Sequence, residues 1–268
     1  MSSQPDFATL YSLADDLRAL GLQAGMTVVV HTSLKALGNV NGGPVAVILA
    51  LEDVLGPEGT LVMPTHTSDL SDPANWRIPP IPAAEWWPLF RQTMPPYDPD
   101  MTPTYRMGVV AETFRKQRGV KRSNNPDASF AAWGKHRDYI TQDHPLYPLF
   151  GEDSPVGRIY ALGGWVLMLG VGHGTNTSLH LAEYRANIHH PIRHDGRPLW
   201  VNGRIEWQAH DDIDWDDDDF EALGADFARE TGLQKEGPVA FGQALLVPQV
   251  PLIDYGVKWL ESHRAKPG

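Results

Sequence analysis

No cysteine occurs among the 268 residues, which excludes disulfides, a thiolate nucleophile and thiolate metal sites, and leaves histidine and carboxylate as the strong ligands. A reducing compartment suits such a composition. Long apolar runs are missing too: stretches such as Ala161 to Val171 are interrupted by glycine and fall well short of the ~20 residues that cross a bilayer. The opening segment MSSQPDFATLYSLADDLRALG has no basic stretch followed by an apolar one, so it does not read as a signal peptide. These absences predict a soluble, cytoplasmic protein. Positive charge is also scarce, with 22 Lys and Arg against 33 Asp and Glu and a formal net charge of -11. Nucleic acid is therefore a poor partner, because binding its phosphates needs a basic patch. A cationic small molecule is attracted instead.

What is present suffices for a large core. Apolar residues make up 42% and aromatics 9% of the chain, enough to offset the entropy cost of folding. Phe7, Leu10, Leu13, Leu17 and Leu20 recur at helical spacing before Gly21 and predict a first amphipathic helix. Met26 to Val30 is short and β-branched, as a strand buried on both faces requires. A turn-like stretch from His31 to Gly43 leads into a helix from Pro44 to Leu55, closed by Gly56, and then a strand from Thr60 to Met63. Strand, helix and strand in that order predict a right-handed parallel βαβ unit.

Pro64 to Thr104 is rich in Pro and Trp without a clean period, so it is expected to be an irregular substrate loop or lid with short helices. Beyond it the pattern predicts a helix over Gly108 to Gly119, an irregular or strand segment over Arg122 to Gly134, and a short helix over Val156 to Leu162. A buried strand over Trp165 to Val171 and a helix over Asn176 to Asn187 follow. Arg193 to His210 reads as a β-hairpin turning at Asn202-Gly203, two residues that tolerate positive φ. Helices around Asp216 to Thr231 and Leu252 to His263 close the chain. With no repeat and no dividing linker, residues 1–268 are expected to form one α/β domain, a largely parallel or mixed sheet flanked by helices.

Several constellations could carry chemistry. Val30-His31-Thr32-Ser33-Leu34, followed by Gly38, Gly42 and Gly43, stands at the end of a parallel strand, where α/β proteins place ligands and where amides and hydroxyls suit a phosphate. The stretch matches neither the P-loop nor the Rossmann fingerprint, and an ordinary Gly-rich loop reads the same way. In Gly172-His173-Gly174-Thr175-Asn176-Thr177-Ser178-Leu179-His180-Leu181-Ala182-Glu183, a helix capped near Asn176 puts His180 and Glu183 on one face. A carboxylate beside an imidazole fixes its tautomer and raises its basicity. A structural histidine or surface pair would show the same spacing, but this pair follows a buried strand, where a pocket is expected.

His144, in a loop ahead of Glu152 and Asp153, could serve that pocket or simply pack. His189, His190 and His194 have neither HExxH spacing nor a convergent carboxylate set, so no metal site is assigned. Asp211 to Asp219 holds seven aspartates, which cannot all remain ionised in a dry core and must face solvent or cations.

Three stretches together carry a resemblance: VVVHTSLKALGNVNGGPVAVILALEDVLGPEGTLVMPTHT, GVVAETFRKQRGVKRSNNPDASFAAWG and DHPLYPLFGEDSPVGRIYALGGWVLMLGVGHGTNTSLHLAEYRA. Their order over most of the chain resembles the aminoglycoside 3-N-acetyltransferase family, whose fold differs from that of the GNAT acetyltransferases. One departure stands at Arg122-Ser123-Asn124-Asn125-Pro126, where the family pattern is Arg-Ser-x-His-Pro, so no role of that histidine is carried over. The resemblance implies transfer of an acetyl group from acetyl-CoA to the 3-amine of an aminoglycoside, conferring resistance.

On that expectation His180 is the general base oriented by Glu183, with His144 and His173 as further candidates. The resemblance implies cofactor contacts at His31, Thr32, Ser33, Leu34 and Lys35, and, by motif position, at Val109, Arg122, Ser123 and Ser129. A polyamine acceptor implies carboxylates, for which Asp69, Asp72, Asp98, Asp100, Glu152 and Asp153 are candidates, beside Trp76, Trp86 and Trp87. Without cysteine, direct transfer in a ternary complex is expected over a cysteine-bound acetyl intermediate, in a monomer or homodimer. The rival readings are an acyltransferase of the same fold acting on another amine, a non-catalytic binder of cationic sugars, and a His/carboxylate metallohydrolase.

Overall fold

A computed structural model describes residues 6–78 and 80–264, so that Pro79 of the expected Pro64–Thr104 loop lies outside it. The first half runs α1 (Leu10–Leu20), β1 (Thr27–Thr32), α2 (Gly43–Leu55), β2 (Thr60–Pro64), α3 (Trp87–Thr93), α4 (Gly108–Phe114), β3 (Lys121–Arg122), β4 (Phe130–Gly134) and α5 (Arg137–Thr141). The second runs α6 (Pro155–Ala161), β5 (Trp165–Leu169), α7 (His180–Arg185), β6 (Ile192–Val201), β7 (Arg204–Ile213), α8 (Phe220–Thr231), β8 (Lys235–Val239), β9 (Gly242–Pro248) and α9 (Gln249–His263).

Seven strands form a mixed sheet in the order β3-β4-β2-β1-β5-β9-β8. At its centre β1 is parallel to both β2 and β5, and every outer pairing is antiparallel. The β1-α2-β2 unit has the expected parallel pairing, and the strands are buried on both faces as their β-branched runs require. Alternation then distributes the side chains. Val28, Val30, Leu61, Leu167 and Leu169 pack with α1, α2 and α4 in one cluster, whereas Val29, Val62, Val166 and Met168 pack with α6, α7, α8 and α9 in the other. Period-two patterning thus builds a helix-sheet-helix sandwich from one set of strands.

Three differences from the sequence reading bear on the site. The first strand continues two residues past Val30, because His31 and Thr32 remain in register with Met168 and Leu169 of β5. The hairpin pairs Ile192 to Val201 with Arg204 to Ile213 about the turn, with φ of 50° at Asn202 and 77° at Gly203. Finally, β8 and β9 were not expected: the Gly and Pro within Lys235–Val239 mask an edge strand, and pairing against β9, itself paired with β5, overrides that local composition.

The segment after β2 is an excursion with short 3-10 turns and α3. Both of its ends are fastened at one place. The Tyr105 amide donates to the His66 carbonyl at 2.8 Å, and the buried Arg122 guanidinium donates to the carbonyls of Thr65 at 2.5 Å and Thr102 at 2.6 Å.

Candidate active site

Parallel strands deliver their loops to one edge of a sheet, and that edge is where α/β proteins form clefts. Here β1, β2 and β5 deliver three histidines. His31 is the penultimate residue of β1, His66 lies two residues beyond β2, and His180 opens α7 after β5; all three line a cavity of about 1120 Å³.

His180 is the most completely organised of the three. Its Nδ1 lies 2.5 Å from Glu183 Oε2, one helical turn along. The other carboxylate oxygen of Glu183 accepts from the Asp216 amide at 3.0 Å and from Arg264 Nη1 at 2.6 Å. Burial pushes the Glu183 carboxyl up, but hydrogen bonds from His180, Asp216 and Arg264 outweigh it and hold the group below the usual carboxylate range. Phe150 stacks on the His180 ring at 4.9 Å and Phe220 approaches from another side at 5.1 Å. With Nδ1 bound to a carboxylate, Nε2 is the nitrogen left to exchange a proton, the arrangement of an oriented general base.

His31 and His66 differ from His180 in having no carboxylate. Each has a buried Nε2 without a hydrogen-bond partner. Burial first, and then the neighbouring histidines, push His31 down to about 4 and His66 down to about 3. Both rings are therefore neutral at pH 7. His66 packs edge-on against Phe130 at 5.2 Å and tilted against Phe150 at 5.6 Å.

The other histidine candidates lie elsewhere. His144 has both ring nitrogens engaged, Nδ1 with Ser123 Oγ and Nε2 with the Leu149 carbonyl, each at 3.0 Å. His173 is buried with Nε2 on Gln234 Oε1 at 2.9 Å and Nδ1 near Asn176 Nδ2 at 3.3 Å. A Cβ at Gly224 of α8 would stand 2.1 Å from the His173 ring, so the helix accommodates this histidine only by lacking a side chain there. Neither His144 nor His173 lines the cavity.

Among the expected cofactor contacts, His31 and Thr32 line the cavity, whereas Ser33, Leu34 and Lys35 follow in the turn beyond β1. The Ser33 amide already donates to the Leu169 carbonyl at 2.9 Å. Exposed Val109 stands in the first turn of α4, which begins close to the Thr32 carbonyl; a Cβ on Gly108 would lie 3.9 Å from that oxygen. Arg122, Ser123 and Ser129 are buried and hydrogen-bonded within the protein: Arg122 Nε donates to Ser129 Oγ at 3.1 Å, and Ser123 Oγ accepts from the Phe130 amide at 2.9 Å. The structure uses them to fasten the excursion.

Of the six expected substrate carboxylates, only Asp69 lines the cavity. Desolvation, with a further push from Asp127, raises its carboxyl. Asp72 caps a short 3-10 turn and pairs with Arg91 at 2.9 Å. Asp98 accepts from the amides of Asp100 and Met101, both at 2.8 Å, and so forms a turn that also contains Asp100. Glu152 holds Arg185 through two bonds of 2.7 and 2.8 Å, and Asp153 is exposed beside it. The acidic run contributes more than these loops do, because Asp214, Asp216, Asp217 and Asp218 line the cavity mouth. Among the described residues, Asp216, Asp217 and Asp218 form the one group whose ligand atoms converge within 4.8 Å; all three are exposed and no histidine joins them.

Some lining residues had no signal in the sequence. His66 follows β2 in a stretch without periodicity, and Arg264 comes from the far end of the chain. Arg106 lines the cavity with a φ of 59°, an uncommon conformation for a residue with a side chain. A clue existed for Asp127 in its NPDAS turn context, but its partner did not announce itself. Arg197 of β6, with its side chain 0% exposed, binds Asp195 at 2.8 Å and also contacts Asp127.

Comparison with known proteins places this geometry. A sequence model described as aminoglycoside 3-N-acetyltransferase matches residues 29–261. The SPbeta prophage-derived aminoglycoside N(3')-acetyltransferase-like protein YokD of Bacillus subtilis is 43% identical over 96% of this chain and 94% of its own. Its crystal structure superposes with a TM-score of 0.93, covering 97% of this chain and 95% of that one. Aminoglycoside N(3)-acetyltransferase VII of Streptomyces paromomycinus is 37% identical over 93% of this chain and 90% of its own. A structure of AAC-IIIb in a binary complex with CoASH, 34% identical, has a TM-score of 0.85 and covers 98% of this chain and 99% of that one. The chain belongs to the aminoglycoside 3-N-acetyltransferase family.

Proposed function

We propose that this protein is an acetyl-CoA-dependent N-acetyltransferase that modifies the 3-amine of aminoglycosides by direct transfer in a ternary complex, and that its biological role is resistance. The observation that carries the chemistry is His180, held by the buried Glu183 at the wall of a cavity of about 1120 Å³. A protonated amine has no lone pair with which to attack a thioester. The acceptor therefore reacts as the neutral amine, its ammonium proton given up to solvent beforehand; as the nitrogen attacks, His180 Nε2 takes the proton that the bond-forming nitrogen must shed, and Glu183 stabilises the imidazolium that results.

The residues divide the remaining tasks. Thr32 and Arg106 line the side of the cavity next to α4, where the pantetheine arm and phosphates of the co-substrate fit a hydroxyl and a cation. Asp69 and Asp214 to Asp218 supply negative charge for a substrate with several ammonium groups. We take the chain as one acetyltransferase domain in which residues 64–104 are the substrate loop. Among the described residues no helix is long and apolar enough to cross a membrane, and a cytoplasmic location fits the supply of acetyl-CoA.

The deciding experiment mixes purified protein, acetyl-CoA, a thiol reagent and aminoglycosides with or without the 3-amine. Because the chain has no cysteine, the reagent reads released CoA alone. Release only with drugs bearing that amine is expected. Release with unrelated amines reassigns the acceptor, and drug binding without release leaves a binder. Elemental analysis of the active protein tests the metal-dependent alternative, and sedimentation decides between monomer and dimer.

A further inference from the structure

Resting on the acetyl-transfer reading, we propose that His31 is a catalytic residue that donates a hydrogen bond from Nδ1 to the oxygen of the acetyl thioester and of the tetrahedral intermediate formed from it. The inference begins with an unsatisfied atom. His31 is 94% buried by its 6% exposure, yet it lines the cavity, and its Nε2 is enclosed without a partner. A buried orphaned N–H is costlier and rarer than a buried orphaned lone pair. The single proton of the neutral ring is therefore placed on Nδ1, which becomes the nitrogen able to donate to a molecule in the cavity.

Topology supplies the second argument. His31 lies in the last two residues of β1, His180 opens α7 after the neighbouring parallel strand β5, and both line the same cavity. The two rings are in opposite states of preparation. His180 has a carboxylate and is equipped to accept a proton, whereas His31 has none and is kept neutral by burial. A neutral imidazole donates a hydrogen bond without surrendering its proton, which is what a developing oxyanion needs in a site of low dielectric. His66 shares the buried Nε2, but its ring is wedged between Phe130 and Phe150; His31 is the ring on the same strand as Thr32, at the proposed co-substrate side.

The step balances without another reactant. The acceptor nitrogen forms a bond to the thioester carbon, the carbonyl π pair moves to oxygen opposite His31, and His180 takes the amine proton. Collapse restores the carbonyl, breaks the carbon–sulfur bond and releases CoA thiolate, which recovers the proton from His180. His31 ends the cycle unchanged.

The test uses His31→Asn, whose amide NH₂ stands where Nδ1–H does, His31→Gln, whose amide reaches instead toward the Nε2 position, and His31→Ala. Two readouts are taken: steady-state kinetics, and the infrared carbonyl band of bound [1-¹³C]acetyl-CoA, which requires no acceptor. Wild type and His31→Asn are expected to move the band to lower frequency and to agree in kcat within ~10-fold, while Gln and Ala lose the shift and ~10²–10³-fold in kcat with little change in KM. Equal damage from Asn, Gln and Ala in folded protein overturns the donor role, as does a band shift that survives His31→Ala and disappears in His66→Ala. If the wild type binds acetyl-CoA with a shifted band but acetylates no drug, the acceptor assignment fails and the donor role stands. If it binds no acetyl-CoA, both fail.

Discussion

The floor and the mouth of the cavity are built on different principles. Floor residues sit on regular elements: His31, 6% exposed, lies in the last two residues of β1, and His180 opens α7 against Glu183, which is 1% exposed. The mouth is made of loops, where Asp216, Asp217 and Asp218 are exposed and the excursion after β2 meets the base of the β6-β7 hairpin. Chemistry needs atoms fixed within a fraction of an ångström, which a sheet provides. Attracting a flexible polycation needs only a field, which solvated carboxylates supply.

That contrast breaks first at the floor. His180→Ala should lower kcat by ~10²–10⁴-fold while the KM values for both substrates change little; steady-state kinetics that show a rise in KM alone would move His180 to a binding role. The link between floor and mouth comes next. Arg197→Met leaves Asp127 and Asp195 buried without their shared cation and should cost about 3–5 kcal/mol of stability, read from urea unfolding. An unchanged midpoint would show that the hairpin is held by packing alone.

Acid should act on the desolvated histidines, two in the floor and His144 outside the cavity, before it reaches the mouth. His31 and His144 titrate near 4 in the fold and His66 near 3, against 6.5 for an unperturbed histidine, chiefly because burial disfavours the charged rings. Below about 6.5 the unfolded chain binds protons that the native rings refuse, so stability is complete above that pH and declines as pH falls toward 4, by about 1.4 kcal/mol per pH unit for each group. A melting temperature flat over pH 4–6.5 would contradict this. The smallest effect belongs to the mouth: changing Asp216, Asp217 and Asp218 together to Asn should raise the KM for the acceptor by ~3- to 10-fold at low salt, leave kcat and the KM for acetyl-CoA unaltered, and lose its effect as salt rises.

Legibility in the sequence follows the same division. The β1-α2-β2 unit could be read because its apolar runs are local and bounded by glycine and proline, and the hairpin because Asn202-Gly203 adopts positive φ at low cost. His180 and Glu183 were legible since three-residue spacing on a helix is enough to make side chains neighbours. The loop acids misled: Asp98 and Glu152 have the chemistry of substrate ligands, yet one closes a turn and the other holds Arg185. A carboxylate type says what an atom can accept, not which donor reaches it first. His144 and Arg122 illustrate the same point, because their partners Leu149, Thr65 and Thr102 meet them only through folding.

The sequence alone determined the parallel centre of the sheet, the acidic character and the helical His-x-x-Glu pair, since each depends on composition or on residues a few positions apart. The tertiary structure alone decided which histidines share a cavity, that β8 and β9 complete the sheet beyond β5, and that Arg264 lies beside Glu183, 81 positions earlier in the chain. The reason is physical. A periodic pattern specifies the face a residue presents, but burial, the tautomer of a neutral imidazole and the choice of hydrogen-bond partner are fixed by whatever the rest of the chain packs against that face.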